Sequence, residues 1–237
     1  MSANSTGQIV VKNLVKRYHT RPVLNKLSIN VDAGALCILV GDNGVGKTTL
    51  LRILAGLVRP DSGEISIGKS GSSRESQHRR MIGYLGHQSM LYQDLNAIEN
   101  LTHYARLYHL PEAEMIVSES IRSVGLEESQ YQMVRTYSRG MQQRLSVARS
   151  LLHDPEVLLL DEPYTGLDKQ GAQFLDKRLQ SLHQQAKTIF LAAHRPHRLL
   201  SFASHVAWLK DGLIVEYSSV ADILGKSDLA VYLQESA

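Results

Sequence analysis

Apolar residues along the chain occur in two patterns, short continuous runs and longer stretches with helical spacing. Continuous runs occupy residues 35–40, 81–85, 157–160 and 188–192, and such runs predict strands that are buried on both faces. Between them, apolar residues recur every three or four positions, which is the period of an amphipathic helix. Strands that alternate with helices predict an α/β fold with a mainly parallel sheet.

Shorter apolar segments near the two ends of the chain predict further strands. They lie at residues 9–11, 27–31, 64–67, 206–209 and 213–215. The first two are separated by turn-prone Thr20-Arg21-Pro22, and we expect an N-terminal antiparallel β part there. The last two flank Asp211-Gly212, a dipeptide that favours a two-residue hairpin turn.

The longest stretch of helical spacing covers residues 90–153. It contains three apolar stripes, and Ser138-Arg139-Gly140 marks the start of the third helix. The pattern predicts a helical subdomain inserted between two sheet strands, within a single domain of residues 1–237. Residues 68–80 are rich in Gly, Ser and Arg and predict an exposed loop.

Composition narrows the functional classes without choosing among them. The chain has 237 residues, 43% of them hydrophobic, and a net charge of +3, which fits one large α/β domain and gives no sign of a nucleic-acid-binding surface. The single cysteine, Cys37, lies in an apolar run and excludes an intrachain disulfide, as expected in a reducing compartment. No apolar run reaches membrane-spanning length, and the N-terminus lacks the pattern of a signal peptide, so a cytoplasmic location is expected.

A glycine-rich loop between an apolar run and a helical stripe satisfies the G-x-x-x-x-G-K-[ST] pattern. Its glycines let successive N–H groups point at phosphate oxygens, at the N-terminus of a helix that favours anions. Lys47 is expected to reach the β- and γ-phosphates, and the Thr48 hydroxyl to bind Mg²⁺. The nucleotide-binding residues that this loop predicts are Gly41, Asp42, Asn43, Gly44, Val45, Gly46, Lys47, Thr48 and Thr49.

Two adjacent carboxylates follow the apolar run of residues 157–160. A strand that delivers Asp161 and Glu162 at its carboxyl end suits metal-dependent phosphoryl chemistry, with Asp161 in the Mg²⁺ shell opposite Thr48. Glu162 is placed to polarise an attacking water. A solvated turn is the alternative interpretation of the pair taken alone.

Together with further motifs, these residues make the chain similar to the ATP-binding subunits of ABC transporters, from about residue 9 to residue 224. Tyr137-Ser138-Arg139-Gly140-Met141 occupies the place of the family's LSGGQ signature, and Gly166-Leu167-Asp168 resembles the loop that crosses its dimer interface. The resemblance implies that Ser138 and Gly140 contact ATP held by a second copy in a head-to-tail dimer. Its cofactors would be ATP and Mg²⁺.

Three more residues take their roles from this resemblance. Tyr18 resembles the aromatic residue that stacks on adenine, and half-buried packing on the sheet is its alternative. Gln88 resembles the glutamine that joins the catalytic site and its Mg²⁺ to the membrane subunit. His194 resembles the catalytic histidine that senses the γ-phosphate, although taken alone it would read as an ordinary strand-end histidine.

Two details of the resemblance bear on turnover and on cargo. Arg139 stands where the family usually has glycine, and its guanidinium either strengthens ATP-dependent dimerisation or faces solvent. Gly86-His87-Gln88, with Ala193-His194-Arg195-Pro196, resembles the haem exporter ATPase of cytochrome c maturation. The implied protein is peripheral on the cytoplasmic face of the membrane and powers an integral membrane subunit, with a general exporter of drug, lipid or polysaccharide as the alternative.

Overall fold

The protein is described by a computed structural model that covers residues 7–68, 79–194, 196–223 and 228–235. Most of the loop expected at residues 68–80, and Arg195 of the haem-exporter motif, lie outside this range. The strands are β1 Ile9–Tyr18, β2 Arg21–Val31, β3 Leu36–Val40, β4 Ser62–Ile67, β5 Ile82–Leu85, β6 Val157–Asp161, β7 Thr188–Ala192, β8 His205–Lys210 and β9 Leu213–Ser219. The helices are α1 Lys47–Leu54, α2 Ala97–Leu107, α3 Ala113–Ser123, α4 Arg139–Leu151, α5 Lys169–Gln184, α6 His197–Leu200, α7 Val220–Ile223 and α8 Asp228–Glu235.

The strands form two sheets. A three-stranded antiparallel sheet has the order β2-β1-β4, and a six-stranded sheet has the order β5-β6-β7-β3-β8-β9. The pairs within β5-β6-β7-β3-β8 are parallel, and only β9 runs antiparallel to its neighbour. The α/β fold with a mainly parallel sheet and an N-terminal antiparallel part is therefore confirmed.

The continuous apolar runs are explained by burial of the six-stranded sheet on both faces. Cys37 and Leu39 of β3 point into a core shared with α1 and the three-stranded sheet. Leu36, Ile38 and Val40 of the same strand point into a second core on the opposite face. Alternation along the strand thus buries every side chain of β3, and burial raises the pKa of the Cys37 thiol.

The N-terminal hairpin is longer than its apolar residues predict. β1 continues to Tyr18, and the turn is made by His19, which has a φ of 55°, and Thr20. The prediction of a turn at residues 20–22 is wrong in part, because Arg21 and Pro22 already belong to β2. β2 is an edge strand, and an edge tolerates a proline that cannot donate to the ladder.

The C-terminal hairpin forms as predicted. Lys210 of β8 pairs with Leu213 of β9 across a two-residue loop. Asp211 and Gly212 in that loop have φ values of 50° and 76°. Two positive φ angles fit the type I′ turn that this dipeptide favours.

Helices α2, α3 and α4 lie between β5 and β6 in the sequence, as the helical stripes predict. They share an apolar cluster of their own, built around Leu101, Ile121 and Leu145. Asn96 caps α2 with a reciprocal capping box to Glu99. Because β5 and β6 pair with each other, the helical segment leaves and re-enters the sheet between neighbouring strands.

Candidate functional site

The phosphate loop, residues 41–48, joins the end of β3 to the start of α1. Gly41 has a φ of 150°, and a Cβ there would overlap the carbonyl oxygen of Leu209. Gly46 caps α1 with a φ of 119° and also lies against neighbouring backbone. The loop therefore needs glycine at both positions, for conformation and for space. Helix α1 begins at Lys47, directly after Gly46, and the free N–H groups at a helix N-terminus favour anions.

Lys47 lies buried beneath this loop. Its Nζ donates hydrogen bonds to the carbonyl oxygens of Gly41, at 2.6 Å, and Asp42, at 3.0 Å. Burial lowers the pKa of Lys47, and the negative charges of Glu162, Asp161 and Asp42 oppose that shift. The ammonium thus sits among acceptors, where phosphate oxygens could replace the loop carbonyls.

Asp161 ends β6 directly opposite the first turn of α1. Thr48 Oγ1 donates to Asp161 Oδ1 at 3.0 Å, which brings together the two residues that the sequence predicts in the Mg²⁺ shell. Asp161 is only 2% exposed, and its Oδ2 has no partner among the described residues. Burial raises the pKa of Asp161, although the Thr48 hydrogen bond lowers it. A hydroxyl and an unsatisfied buried carboxylate oxygen form a donor set that fits Mg²⁺.

Glu162 and His194 line one cavity of about 380 Å³, which we call the β6–β7 cavity because residues 162–165 and 192–194 surround it. Glu162 has a positive φ of 49°, and its N–H donates to the carbonyl oxygen of Ala192 at 3.0 Å. Left-handed backbone at a non-glycine residue is uncommon and needs support from its surroundings. Here the bond to β7 supplies that support, and Thr165 Oγ1 donates to Glu162 Oε2 at 3.3 Å.

Glu162 also lines a second, more polar cavity of about 300 Å³, which we call the α4 cavity. Arg139, Gln142 and Gln143 from the start of α4 contribute to its wall, as do Gly86, His87, Ser89 and Thr165. Gln143 Nε2 donates to the carbonyl oxygen of Pro163 at 2.7 Å. The start of α4 is therefore tied to the loop that carries Glu162 in the same chain.

Arg139 occupies an exposed position at the mouth of the α4 cavity. Its Nη1 would lie 3.6 Å from a Cβ atom if Gly166 were replaced by alanine. The guanidinium therefore reaches the Gly166-Leu167-Asp168 loop of its own chain. Neither of the two sequence interpretations, dimer strengthening or simple solvation, includes this contact.

The structure places the remaining predicted residues at the surface. Tyr18 ends β1 with 45% of its area exposed, and Lys16 Nζ lies 5.5 Å from its ring centroid. Gln88 is exposed after β5. Ser138 caps α4 by accepting from the Met141 N–H at 3.3 Å. Among the hydrogen bonds of the described residues, none joins Ser138 or Gly140 to the phosphate loop of the same chain.

One contact at the phosphate loop could not be predicted from the sequence. Tyr232 Oη in α8 donates to Asp42 Oδ1 at 3.4 Å, across 190 positions of sequence. The Tyr232 ring also lies 5.1 Å from that of Trp208. The C-terminal helix thus borders the phosphate loop, although an isolated tyrosine predicts nothing of the kind.

A strand, a glycine loop with a buried lysine, and a paired threonine and aspartate define a P-loop protein that binds nucleoside triphosphates. The sequence profile of the ABC transporter family matches residues 24–165, and the chain belongs to that family as an ATP-binding subunit with ATPase chemistry.

Relatives with assigned roles are consistent with this membership. The bacitracin transport ATP-binding protein of Bacillus licheniformis is 35% identical over 210 residues, which cover 88% of this chain and 68% of that protein. A Nod factor export ATP-binding protein of Burkholderia orbicola is 38% identical over 193 residues, which cover 80% of this chain and 64% of that protein. The chain therefore spans about two thirds of the length of these curated relatives.

Solved structures show the same architecture. An ATP-binding subunit of an ABC transporter superposes with a TM-score of 0.85 at 27% identity, covering 97% of this chain and 99% of that one. A dimeric ATP-binding cassette in a post-hydrolysis state with ADP and Pi superposes with a TM-score of 0.81 at 25% identity, covering 90% and 98%.

Proposed function

We propose that this chain hydrolyses ATP within a head-to-tail homodimer and so drives a separate integral membrane subunit. The observation that carries the proposal is the convergence at the carboxyl end of β6. There Asp161 pairs with Thr48, while Glu162 shares the β6–β7 cavity with His194. In this proposal residues 1–237 form one ATP-binding domain, with helices of residues 90–153 as its inserted subdomain.

The phosphate loop and Lys47 would bind the β- and γ-phosphates, and Tyr18 would stack on adenine. Thr48 and Asp161, with Gln88, would hold Mg²⁺, which neutralises phosphate charge when bound. The support for the cation is the buried Oδ2 of Asp161, which lacks a partner among the described residues.

Glu162 would orient and polarise the attacking water, and His194 would contact the γ-phosphate. Both residues line the β6–β7 cavity, and the supported left-handed backbone of Glu162 sets the direction in which its side chain leaves the main chain. A carboxylate held in this way can accept a hydrogen bond from water without a large rearrangement.

Dimerisation would complete the site with Ser138 and Gly140 of a second copy. Support comes from the free surface at this turn, since Ser138 is exposed and a Cβ on Gly140 would meet no atom closer than 4.0 Å. The N-terminus of α4 is a favourable place for phosphate. The similarity to a cassette whose structure is dimeric supports a dimer of this chain.

The membrane subunit would dock beside Gln88, on an exposed aromatic surface formed by Met90, Tyr92, His103, Tyr104 and Leu107. Tyr92 and Leu107 are 50% and 61% exposed, and the rings of Tyr92 and His103 lie 5.0 Å apart. Apolar area of this kind marks interaction sites. In the described ranges, no helix is both long and apolar enough to cross a bilayer. We therefore propose peripheral attachment at the cytoplasmic face.

Two cargo classes fit the proposed motor. Haem export for cytochrome c maturation rests on Gly86-His87-Gln88 and the motif around His194. General export of drug, lipid or polysaccharide is favoured by the relatives, whose names specify bacitracin transport and Nod factor export. Purification from native membranes separates the two, because haem-handling subunits support the first class and an unrelated permease excludes it.

The motor itself is tested with Glu162→Gln. We expect this variant to bind ATP, to hydrolyse it at least about a hundredfold more slowly, and to elute as a dimer when ATP is present. Glu119→Gln, an exposed change on α3, is the matched control and should behave as wild type. A Glu162→Gln variant that stays monomeric and fully active would refute the assigned role.

A further inference from the structure

Asp176 of α5 connects the loop that follows Glu162, which lines the β6–β7 cavity, with helix α6. Its Oδ1 accepts a hydrogen bond from Tyr164 Oη at 2.8 Å, and its Oδ2 accepts one from Arg198 Nε at 2.6 Å. Tyr164 belongs to the loop after Glu162, whereas Arg198 lies in α6, which begins three positions after His194. One carboxylate thus bridges the segment with the proposed water-activating residue and the segment that follows the proposed γ-phosphate sensor.

The bridge lies in an environment that strengthens it. The Asp176 side chain is only 17% exposed, whereas that of Arg198 is 42% exposed, and charge-assisted hydrogen bonds to a poorly solvated carboxylate are stronger than neutral ones. Burial, followed by the hydrogen bond and charge of Asp176, raises the pKa of Tyr164, so this hydroxyl stays a donor at neutral pH. Each oxygen of the carboxylate serves a different segment, and both bonds therefore fix the two segments relative to α5.

The position of Tyr164 links the bridge to the cavity. Tyr164 lines the β6–β7 cavity together with Glu162 and His194. Tyr164 follows Glu162 by two positions in the same tight loop, in which the Thr165 N–H donates to the Glu162 carbonyl oxygen at 3.1 Å. A shift of the Tyr164 ring would alter the shape of the same cavity.

We propose that Asp176 is a positioning residue for ATP hydrolysis, which holds the Glu162 loop and the His194 segment at the separation that the reaction needs. This inference rests on the proposed roles of Glu162 and His194. Asp176 contacts neither nucleotide nor water in this scheme and acts only through Tyr164 and Arg198. Misplacing reacting groups by a fraction of an ångström slows the chemical step more than it weakens substrate binding.

The test compares Tyr164→Phe and Asp176→Asn in the 237-residue chain, by steady-state ATP hydrolysis and by thermal unfolding. We expect kcat to fall about tenfold or more in each variant, with KM for ATP within about twofold of wild type. The double variant should lose no more than Asp176→Asn alone, because both changes break one bridge. Asp94→Asn, which alters an exposed ion pair with Arg135, is the control and should keep wild-type kcat.

A purely structural bridge gives another pattern. A lower melting temperature with unchanged kcat would overturn the inference, as would losses that add in the double variant. Tyr164→Phe removes one hydroxyl without changing charge, so it keeps the test decisive if Asp176→Asn folds poorly. Full activity of Glu162→Gln would overturn the proposed function itself, whereas an inactive Glu162→Gln with wild-type kcat in both bridge variants would overturn only the role of Asp176.

Discussion

The ionised carboxylate of Asp161 is expected to lower the free energy of unfolding when no cation or nucleotide is bound. Its carboxylate is 2% exposed, Thr48 satisfies only Oδ1, and Oδ2 lacks a partner among the described residues. Leaving a buried polar atom unsatisfied costs about 1–3 kcal/mol, and more when the group is charged. We therefore predict that Asp161→Asn stabilises the nucleotide-free protein.

The magnitude follows from what the substitution keeps and removes. Asn has the same shape and can still accept from Thr48, so the difference is that between a charged and a neutral unsatisfied group, about 1–2 kcal/mol. For a chain of this size, each kcal/mol corresponds to about 2–4 °C in melting temperature. Asp161→Asn should therefore melt about 2–8 °C higher than wild type in the absence of Mg²⁺ and ATP.

The pH dependence gives a second measure of the same effect. Because burial raises the pKa of Asp161, the folded chain holds this proton more tightly than the unfolded chain. The wild type is therefore free of the penalty below the unfolded pKa and acquires it as pH rises through the folded pKa. The advantage of Asp161→Asn should accordingly be smaller near the ordinary aspartate pKa of about 4 than at pH 7.5.

Differential scanning calorimetry and ATPase assays on the same samples complete the test. Hydrolysis by Asp161→Asn should fall at least about a hundredfold if the carboxylate holds Mg²⁺. Asp94→Asn, at a side chain that is 86% exposed, is the control and should change stability by less than about 0.5 kcal/mol. An Asp161→Asn protein that melts below wild type, or that keeps full hydrolysis, would refute this reasoning.

Two further predictions concern the phosphate loop and the helical segment. Gly41→Ala should lower the free energy of unfolding in urea by about 2–4 kcal/mol and abolish ATP binding, because the new Cβ would overlap the Leu209 carbonyl oxygen. Gly44→Ala is the control and should lower it by only about 1 kcal/mol, because a Cβ there would meet no atom of the described residues within 4 Å. Equal losses in the two variants would contradict the argument from overlap. Burial lowers the pKa of His153 from 6.5 in the unfolded chain to about 4 in the folded chain. The neutral imidazole therefore carries no penalty above pH 6.5, and the free energy of unfolding decreases as pH falls towards 4, by about 2 kcal/mol between pH 7 and pH 5. His153→Gln should reduce that loss in urea titrations, whereas exposed His109→Gln should leave it unchanged, and an unaltered slope in His153→Gln would show that other groups cause it.

The predictable features of this protein are those encoded by neighbouring residues. The phosphate loop can be predicted from the sequence because Gly41, Gly46 and Lys47 lie close together in the chain and contact one another locally. The location of Asp161 and Glu162 can be predicted because residues at the end of a strand lie at one edge of the sheet. The parallel sheet follows from apolar runs whose side chains are buried on both faces.

Contacts across the fold could not be predicted in the same way. Tyr164, Asp176 and Arg198 are separated by 12 and 22 positions, and each is ordinary for a loop or helix surface. The contact of Tyr232 with Asp42 depends on how the chain end packs. The haem cargo stays a prediction, since Gly86 and His87 of that motif line the α4 cavity beside Glu162 and make no contact with other described residues there that distinguishes one cargo class from another.

The adjacency of β5 and β6 has a consequence for how such proteins diversify. The chain departs from the sheet at Leu85 and returns at Val157, and these two strands pair along their length. Residues 86–156 therefore form one long connection between two neighbouring strands of the sheet. Its helices can be exchanged or reshaped without changing strand order, as long as Tyr84 and Ile82 keep their contacts with Arg149 and His153. A transport motor can thus acquire a new coupling surface through α2 and α3, provided that the turn at Ser138 and Gly140, proposed to contact ATP, is kept.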